Sequence, residues 1–91
     1  MTFEEEKVGD FLNVFAESKS AIRHFPGCRH LELWRDRSRR NIFFTYSFWE
    51  SETALENYRN SELFKNTWSR TKVLFAAKPE AWSVEGLEYL P

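Results

Sequence analysis

Among the side chains able to accept a proton near neutral pH, the strongest candidate in this sequence is His30. An unperturbed imidazole titrates close to neutrality, which suits a general base. Glu32 follows two residues later in the stretch HLELWRD, and alternate residues of a strand share one face. His30 is therefore predicted to be a catalytic residue with Glu32 beside it. A hydrogen-bonded or surface histidine without a catalytic role is the alternative.

The other reactive side chains form no recognisable metal, phosphate or nucleophile site. His24, Cys28 and His30 match no zinc-ligand spacing and lack a fourth ligand, so no metal site is predicted. No phosphate loop, dinucleotide-binding fingerprint or serine triad occurs in the sequence. The four arginines between positions 35 and 40 fit a solvated hairpin tip better than an anion site.

Hydrophobic periodicity and turn signals predict the elements that must position these residues. Their order, α-β-β-α-α-β, indicates an antiparallel α+β layer. Ser51 and Ser61 are suited to cap the second and third helices. The predicted elements are a helix from Glu4 to Phe25, a strand HLELWRD, a strand from Asn41 to Ser51, helices from Ser51 to Asn60 and from Ser61 to Ala77, and a final strand AWSVEGLEYL.

The second strand, NIFFTYSFWES, is apolar on both faces, whereas a strand with one face in water alternates apolar and polar residues. The helices of so short a chain suffice to cover one of these faces. The other face is therefore predicted to pack against a second copy of the chain. The predicted dimer interface comprises Phe44, Tyr46 and Phe48.

The predicted register of the hairpin, with Arg35 opposite Ile42, decides which residues share the face under the helices. Short side chains among large aromatic ones leave space, and an aromatic space with a few polar groups is typical of a ligand pocket. Helix side chains filling that space are the alternative. The face predicted to border a cavity under the helices carries His30, Glu32, Trp34, Phe43, Thr45, Ser47 and Trp49.

Composition bounds the class of protein. The 91 residues predict one domain, residues 1–91. The formal net charge of −1 gives no reason to expect nucleic acid as a partner, and the single cysteine excludes an intramolecular disulfide framework. No signal peptide is recognisable, and no apolar run approaches the ~20 residues that a membrane span needs. These features predict a cytoplasmic protein that has no membrane partner.

Several stretches together resemble the antibiotic biosynthesis monooxygenase family: FPGCRHLELWRD, NIFFTYSFWES, SELF followed by TW and TK, and KPEAWSV. The resemblance covers the chain from about Phe3 to Val84. It implies a ferredoxin-like β-α-β-β-α-β fold, with helices on one face of the sheet and two protomers paired into a dimeric α+β barrel. The family's first strand lies between the third and the fourth. The residues MTF resemble only the end of that strand, which is therefore expected to be truncated.

The resemblance implies a cofactor-independent monooxygenase that oxidises a small electron-rich aromatic, a quinol or a phenol, with dioxygen. The substrate anion would supply the electrons, while the protein binds it and excludes water. Trp49 matches the tryptophan of the family's Trp-x-Ser segment and is predicted to be a second catalytic residue, although a tryptophan at a strand end is often part of the core. A non-catalytic homodimer that binds a small apolar ligand is the alternative function. The predicted substrate pocket comprises Glu32, Phe43, Thr45, Ser47, Tyr58, Phe64 and Trp68.

Haem degradation, a branch of the same family, is disfavoured by two helix residues. Tyr58 and Trp68 match positions that carry a tryptophan and the iron-binding histidine in that branch. Trp68 cannot ligate iron, because the indole N–H is only a donor. The asparagine that the branch contributes from its first strand is missing as well. The prediction is therefore a protein without a cofactor.

Overall fold

The computed structural model describes residues 1–91 and has the α+β fold that the sequence predicts. Its two strands form one antiparallel sheet, and the first helix packs against both the sheet and the third helix. A single 3-10 turn, Glu5–Lys7, leads into the first helix. The elements are α1 (Val8–Arg23), β1 (Cys28–Arg35), β2 (Phe43–Trp49), α2 (Glu52–Arg59) and α3 (Glu62–Lys72).

Two serine caps begin the helices that follow the sheet. The Ser51 hydroxyl accepts a hydrogen bond from the Ala54 backbone N–H at 3.1 Å. The Ser61 hydroxyl accepts one from the Phe64 N–H at the same distance. Each bond satisfies a backbone donor that the first turn of a helix leaves without an intrahelical partner. The predicted starts of α2 and α3 are thereby confirmed.

The core is a small cluster of aromatic and aliphatic side chains between α1, β2 and the chain start. Phe3 is fully buried and stacks on Phe11 with ring centroids 4.1 Å apart. Phe43 and Leu74 complete the buried cluster. Burying a phenylalanine contributes roughly 1.5–3 kcal/mol, so these few residues carry much of the stability of a chain this small.

The segment Met1–Phe3 lies between the start of β2 and the residues after α3. On one side, the Phe43 N–H donates to the Met1 carbonyl at 2.8 Å. On the other side, the Ala76 N–H donates to the Thr2 carbonyl at 2.8 Å, and Phe3 forms a bridge with Phe75. This is the place that the resemblance implies for the family's first strand.

The third helix ends at Lys72, so the predicted end at Ala77 is wrong. The Leu74 carbonyl accepts a hydrogen bond from the Glu4 N–H at 3.1 Å, and Ala76 bonds to Thr2. The backbone groups of Leu74 and Ala76 therefore bind the chain start, while the Leu74 N–H still donates to the Thr71 carbonyl of the last turn of α3. Tertiary pairing overrides the helical pattern of their side chains.

The predicted register of the hairpin is wrong by one residue. Arg35 lies opposite Phe43 rather than Ile42. The Asp36 carboxylate accepts hydrogen bonds from the backbone N–H groups of Ser38 and Arg39, and the Asp36 N–H donates to the Ile42 carbonyl. These bonds build a tip one residue longer than the predicted one, and a slip of one residue moves a strand's side chains to the other face.

A glycine at the turn between α1 and β1 allows α2 to pack closely. Gly27 has a φ of 89°, a conformation that residues with a side chain rarely adopt. A Cβ at this position would lie 2.4 Å from the Cβ of Ala54 in α2. The turn and α2 thus meet at a distance that leaves no room for a methyl group.

The predicted final strand AWSVEGLEYL is also wrong, since residues 77–91 form neither helix nor strand. Ala76 is the last residue to bond with the chain start, and the residues after it meet no neighbouring strand of the chain. Five large apolar side chains of this segment are 75–87% exposed. The segment, residues 77–91, is called the C-terminal arm below.

Candidate functional site

Four aromatic side chains form a row on the helix side of the sheet. Trp49, at the end of β2, stacks on Tyr58 of α2 with centroids 4.9 Å apart and an angle of 26° between the rings. Tyr58 meets Phe64 edge-on at 5.3 Å. Phe64 and Trp68, one helical turn apart on α3, lie 6.0 Å apart with nearly parallel rings. The structure thus brings the four rings together, and their role as the wall of a substrate pocket stays a prediction.

The row continues until it reaches the other end of the same strand. Trp68 contacts Phe75 at 5.6 Å, and Phe75 stacks on Phe3 at 5.1 Å. Phe3 in turn meets Phe43, the first residue of β2, at 5.9 Å. The aromatic side chains therefore form an arc that begins at Trp49, ends at Phe43 and spans the middle of β2.

Two hydroxyl residues of β2, Thr45 and Ser47, lie between Phe43 and Trp49, the strand residues at the two ends of this arc. Thr45 and Ser47 share the helix-side face with Trp49, whose indole N–H donates to the Ser47 hydroxyl at 3.0 Å. Thr45 is exposed even though the helices lie on its side of the sheet. The helices thus cover the two ends of the strand and leave its middle open. This open region is called the aromatic cleft, and it is lined by Thr45, Ser47, Trp49, Tyr58, Phe64 and Trp68.

Two surface cavities lie elsewhere. One of about 770 Å³ borders the hairpin tip at Arg35, Arg39 and Arg40, and one of about 320 Å³ lies between Gly27 and the start of α2. Neither is lined by a residue of the aromatic cleft.

Tyr58 is the titratable residue at the centre of the aromatic row. Burial, with a smaller effect from Cys28, raises the pKa of its phenol to about 12. The group therefore keeps its proton throughout the physiological range. A neutral phenol at this position can donate a hydrogen bond to an oxygen atom of a ligand.

Phe43 was predicted to line the pocket, and the structure corrects this prediction. Its side chain is only 2% exposed and packs against Phe11 at 5.1 Å. The Arg35 guanidinium lies over the ring, 5.0 Å from its centroid. Phe43 is thus enclosed by the core and has no surface left for a ligand.

His30 and Glu32 are adjacent as predicted, but they lie on the opposite face of the sheet from Thr45 and Ser47. The imidazole Nε2 is 2.5 Å from the Glu32 carboxylate, whose other oxygen accepts a hydrogen bond from the Trp34 indole at 2.6 Å. These bonds, that of His30 first, lower the pKa of Glu32. The one-residue change of register is the reason that the three residues leave the predicted pocket face.

The face that carries His30 is apolar and uncovered. Trp34, Phe44, Tyr46 and Phe48 are between 44% and 60% exposed there. Tyr46 meets Phe48 edge-on at 4.9 Å, and His30 packs against Phe48 at 5.3 Å. No helix of the chain lies on this side. It is called the open sheet face below, and its residues are His30, Glu32, Trp34, Phe44, Tyr46 and Phe48.

Residues 1–69 match the sequence model of the family described as antibiotic biosynthesis monooxygenase. The chain belongs to this family. No curated protein has a sequence that matches this chain significantly.

Solved structures share the fold of this member of the antibiotic biosynthesis monooxygenase family. A conserved protein from Methanosarcina mazei Go1 has a TM-score of 0.82 at 19% identity, with 87% of this chain and 78% of that chain covered. A structure described as an antibiotic biosynthesis monooxygenase has a TM-score of 0.79 at 18% identity, covering 85% and 81%. A Mycobacterium tuberculosis protein has a TM-score of 0.80 at 13% identity, covering 96% and 91%. At these identities the likeness establishes the fold alone.

The geometry adds two residues that the sequence reasoning did not assign to these features. Trp34 binds the Glu32 carboxylate, and its spacing of two residues along a strand was the available signal. Phe75 joins the aromatic row to the core. The sequence pattern predicts a helix through this residue and therefore gives no signal for its contact with Phe3. No three His, Cys, Asp or Glu side chains of this family member converge as metal ligands. None of its helices is long and apolar enough to cross a membrane.

Proposed function

We propose that the protein is a cofactor-independent monooxygenase that oxidises a small electron-rich aromatic, a phenol or a quinol, with dioxygen. The observation that carries this proposal is the aromatic arc whose two ends flank Thr45 and Ser47 on β2. Membership of the antibiotic biosynthesis monooxygenase family supports it. Flat aromatic walls with two hydroxyls at the floor suit a flat ring that bears oxygen substituents.

The reaction needs only the substrate and dioxygen. A phenol or quinol loses an O–H proton, and the resulting anion has carbanion character at its ortho and para ring carbons. Electrons pass from this anion to dioxygen, and one oxygen atom bonds to such a carbon that carries hydrogen, the para carbon of a phenol or the ortho carbon of a quinol. Loss of the proton from this carbon then breaks the O–O bond. One oxygen remains as a quinone carbonyl and the other leaves as water, so one substrate molecule and one dioxygen give one quinone and one water.

The protein's part is to bind the substrate and to favour its anion. Tyr58 stays protonated because burial raises its pKa to about 12, so it donates a hydrogen bond to the phenolate oxygen and does not remove the proton. Trp49 and Trp68 hold the ring and keep water from its faces. His30 lies on the other side of the sheet, and we therefore assign the proton to water and not to this histidine.

We further propose that a second copy of the chain covers the open sheet face. Phe44, Tyr46 and Phe48 would then lie at the centre of the interface, which suits large aromatic side chains. The 2.5 Å contact of His30 with Glu32 would be enclosed with them. The role of this pair would be to satisfy polar groups at an apolar interface.

Oxygen uptake by chelator-treated protein over a panel of phenols and quinols tests the enzymatic proposal. We expect one dioxygen per substrate, with one atom of ¹⁸O₂ in the quinone and the other in water. Tyr58→Phe should lower the rate, and Tyr46→Phe on the open sheet face is the matched control. If the protein accelerates oxygen uptake with no member of the panel, the enzymatic proposal is contradicted.

Ligand binding without catalysis is the second candidate function. It is favoured by the observation that His30, the predicted general base, lies on the opposite face of the sheet from the aromatic cleft. A homodimer of this kind would bind the same phenols saturably, with quenching of Trp49 and Trp68 fluorescence. It would leave the rate of oxygen uptake unchanged, and this measurement separates the two functions.

A further inference from the structure

The cavity of about 770 Å³ at the hairpin tip lies between that tip and the start of α1. Arg35, Arg39 and Arg40 line it on the hairpin side, and Glu5 and Val8 line it on the helix side. Its volume falls in the range of small-molecule sites, about 300–1,000 Å³. It shares no lining residue with the aromatic cleft or the open sheet face, so it is a separate feature of the molecule. It is called the tip recess below.

The guanidinium groups of the tip recess have no carboxylate partner. None of Arg35, Arg39 and Arg40 forms a salt bridge in the chain. Asp36, the acidic residue of the tip, instead accepts hydrogen bonds from the backbone N–H groups of Ser38 and Arg39, at 2.9 and 2.7 Å. The side chains of Arg39 and Arg40 are exposed, and their N–H groups are free to bind a ligand.

Arg35 is held in position before any ligand binds. Its Nε–H donates to the Arg40 carbonyl at 2.6 Å, and its guanidinium lies over the Phe43 ring, 5.0 Å from the centroid. These contacts leave its two terminal nitrogens free to donate. The backbone of the tip is fixed as well, because the Ile42 N–H donates to the Arg39 carbonyl at 3.1 Å. A site ordered in advance loses little conformational freedom when a ligand binds.

The charge of the tip recess suits a doubly charged anion. Glu5 is the one carboxylate among the residues that line it, and one carboxylate against three guanidinium groups leaves two positive charges uncompensated. A phosphate monoester carries about −1.5 to −2 charge at pH 7. The planar fork of a guanidinium group matches the geometry of two phosphate oxygens. Charge and geometry therefore agree on a phosphate group.

We propose that the tip recess binds a small phosphate monoester. Arg35, Arg39 and Arg40 hold the phosphate oxygens, and the remaining volume takes the organic part of the ligand. That part is polar, because Val8 is the one apolar residue among the seven that line the recess. The sequence pattern alone favours a solvated tip. The recess and the fixed guanidinium of Arg35 are the structural observations that favour an anion site instead.

The acidic residues beside the tip recess favour a small ligand over an extended polyanion. Glu5 lines the recess, and Glu6 follows it in the same exposed turn. A nucleic acid or an anionic membrane surface presents many phosphates and would bring some of them against these carboxylates, at a cost in Coulomb energy. A single phosphate group in the recess meets only Glu5. The net charge of −1 likewise gives the chain no general attraction for polyanions.

Calorimetric titration of the full chain gives the first test, in a buffer without phosphate or sulfate. We expect glycerol phosphate to bind saturably, one molecule per chain, with a Kd of about 1 mM or lower. Inorganic phosphate should bind more weakly, and glycerol, which lacks the charge, should not bind. Equal affinities for inorganic phosphate and glycerol phosphate would overturn the ester as the ligand. No binding of either at ~10 mM would overturn the site itself.

The arginines of the tip offer a matched control for this titration. Arg39→Ala and Arg40→Ala should each raise the Kd for glycerol phosphate by about 10-fold or more, because each removes charge-assisted hydrogen bonds to the ligand. Arg37 lies in the same tip and carries the same charge, but it does not line the recess. In ~0.15 M salt, which screens distant charges, Arg37→Ala should change the Kd by less than about twofold. An equal loss in all three variants would overturn the site, since it would show only a general effect of charge. Circular dichroism of each variant checks the fold.

The two glutamates of the turn before α1 test the sign of the electrostatic effect. Glu5→Gln should lower the Kd for glycerol phosphate by about threefold, because it removes a negative charge from the recess. Glu6→Gln, one residue farther along and outside the recess, should change the Kd much less. Weaker binding in Glu5→Gln would show that this carboxylate supports the site instead of opposing the ligand, and it would overturn the assigned charge balance.

Vesicles supply phosphate from the other source, a lipid headgroup. We expect the wild type to cosediment with vesicles of phosphatidylglycerol and phosphatidylcholine no more than with vesicles of phosphatidylcholine alone. Cosedimentation with the anionic vesicles that Arg39→Ala abolishes and Arg37→Ala does not, without binding of glycerol phosphate, would assign the recess to a membrane surface and overturn the small ligand. None of these measurements depends on oxygen uptake, so the proposed chemistry can fail without affecting this site.

Discussion

The imidazole of His30 lies 2.5 Å from the carboxylate of Glu32 on the open sheet face, and the Trp34 indole binds the second carboxylate oxygen. Both donors favour the ionised carboxylate, which is why the pKa of Glu32 is lowered. A carboxyl group whose folded-state pKa is lowered adds stability above its unfolded pKa. That stability is lost as the pH falls through the folded-state value.

This relationship predicts how stability depends on pH. Wild type should be more stable than Glu32→Gln at pH 7, and the difference should disappear as the pH falls below the ordinary carboxyl range, about pH 4. Urea unfolding between pH 3 and pH 7 measures it. Glu56→Gln, at an exposed site on α2, should show no comparable change. A difference between wild type and Glu32→Gln that grows toward low pH would contradict the assignment.

Because His30 lies on the open sheet face, we expect its substitution to have little effect on turnover. His30→Ala should change kcat/KM for an oxidised phenol by less than about threefold, because the imidazole cannot reach a substrate beside Thr45. A base in contact with the substrate would contribute about 100-fold or more. The assay is run at a protein concentration at which the variant is dimeric by sedimentation. If His30→Ala instead lowered kcat/KM by about 100-fold or more, His30 would have to act as the base in the site.

Two adjacent phenylalanines of β2 should respond differently to substitution. Phe43→Ala opens a cavity in the core and should cost about 3–5 kcal/mol, enough to unfold much of a domain this small. Phe44→Ser should leave the monomer folded, because the Phe44 side chain contacts no core residue, and should prevent dimerisation. Circular dichroism and sedimentation of the two variants measure these outcomes. A folded Phe43→Ala protein with an unchanged melting temperature would contradict the described core.

The cap of α3 can be tested with a matched pair of serines. Ser61→Ala removes the acceptor for the Phe64 N–H and should cost about 1 kcal/mol. Ser69→Ala, farther along α3, removes only a bond to the Asn66 carbonyl at an exposed position and should cost much less. Thermal unfolding of both variants gives the comparison, and equal losses would argue against the cap.

A substitution of Trp49, which stacks on Tyr58, tests whether the indole only lines the cleft or also takes part in the reaction. Trp49→Phe keeps an aromatic ring but loses the bond to Ser47, so it should weaken phenol binding more than it lowers the rate at saturation. Fluorescence titration gives the affinity, and oxygen uptake gives the rate. A fall in the saturated rate of 10-fold or more, about 1.4 kcal/mol in the barrier, would instead place the indole in electron transfer.

The sequence was sufficient for features that depend on local chemistry. The serine caps, the amphipathic α1 and the face of β2 that meets the helices follow from residue types and their spacing. The register did not follow, because the Asp36 carboxylate lengthens the hairpin tip through bonds that no side-chain alternation reveals. Because of this one-residue difference in register, the sequence pattern places His30 and Glu32 on the wrong face of the sheet.

The end of α3 and the arm were missed for a different reason. Residues 74–76 have a helical pattern but bind Met1–Phe3, a partner more than seventy residues away in sequence. The arm has a strand pattern, and a strand forms only where an edge is available. Both features depend on distant segments of chain, and single-sequence periodicity reports only on near neighbours.

The close approach of Gly27 to Ala54 has a consequence for specificity. Any side chain at position 27 must displace α2, and α2 carries Tyr58, the residue that stacks on Trp49. A methyl group placed outside the aromatic cleft would therefore move one of its walls without touching a ligand. For the proposed enzyme we therefore expect substrate preference to respond to a turn behind the site, and variants at positions 27 and 54 taken together offer a way to widen or narrow the cleft while leaving every residue that lines it unchanged.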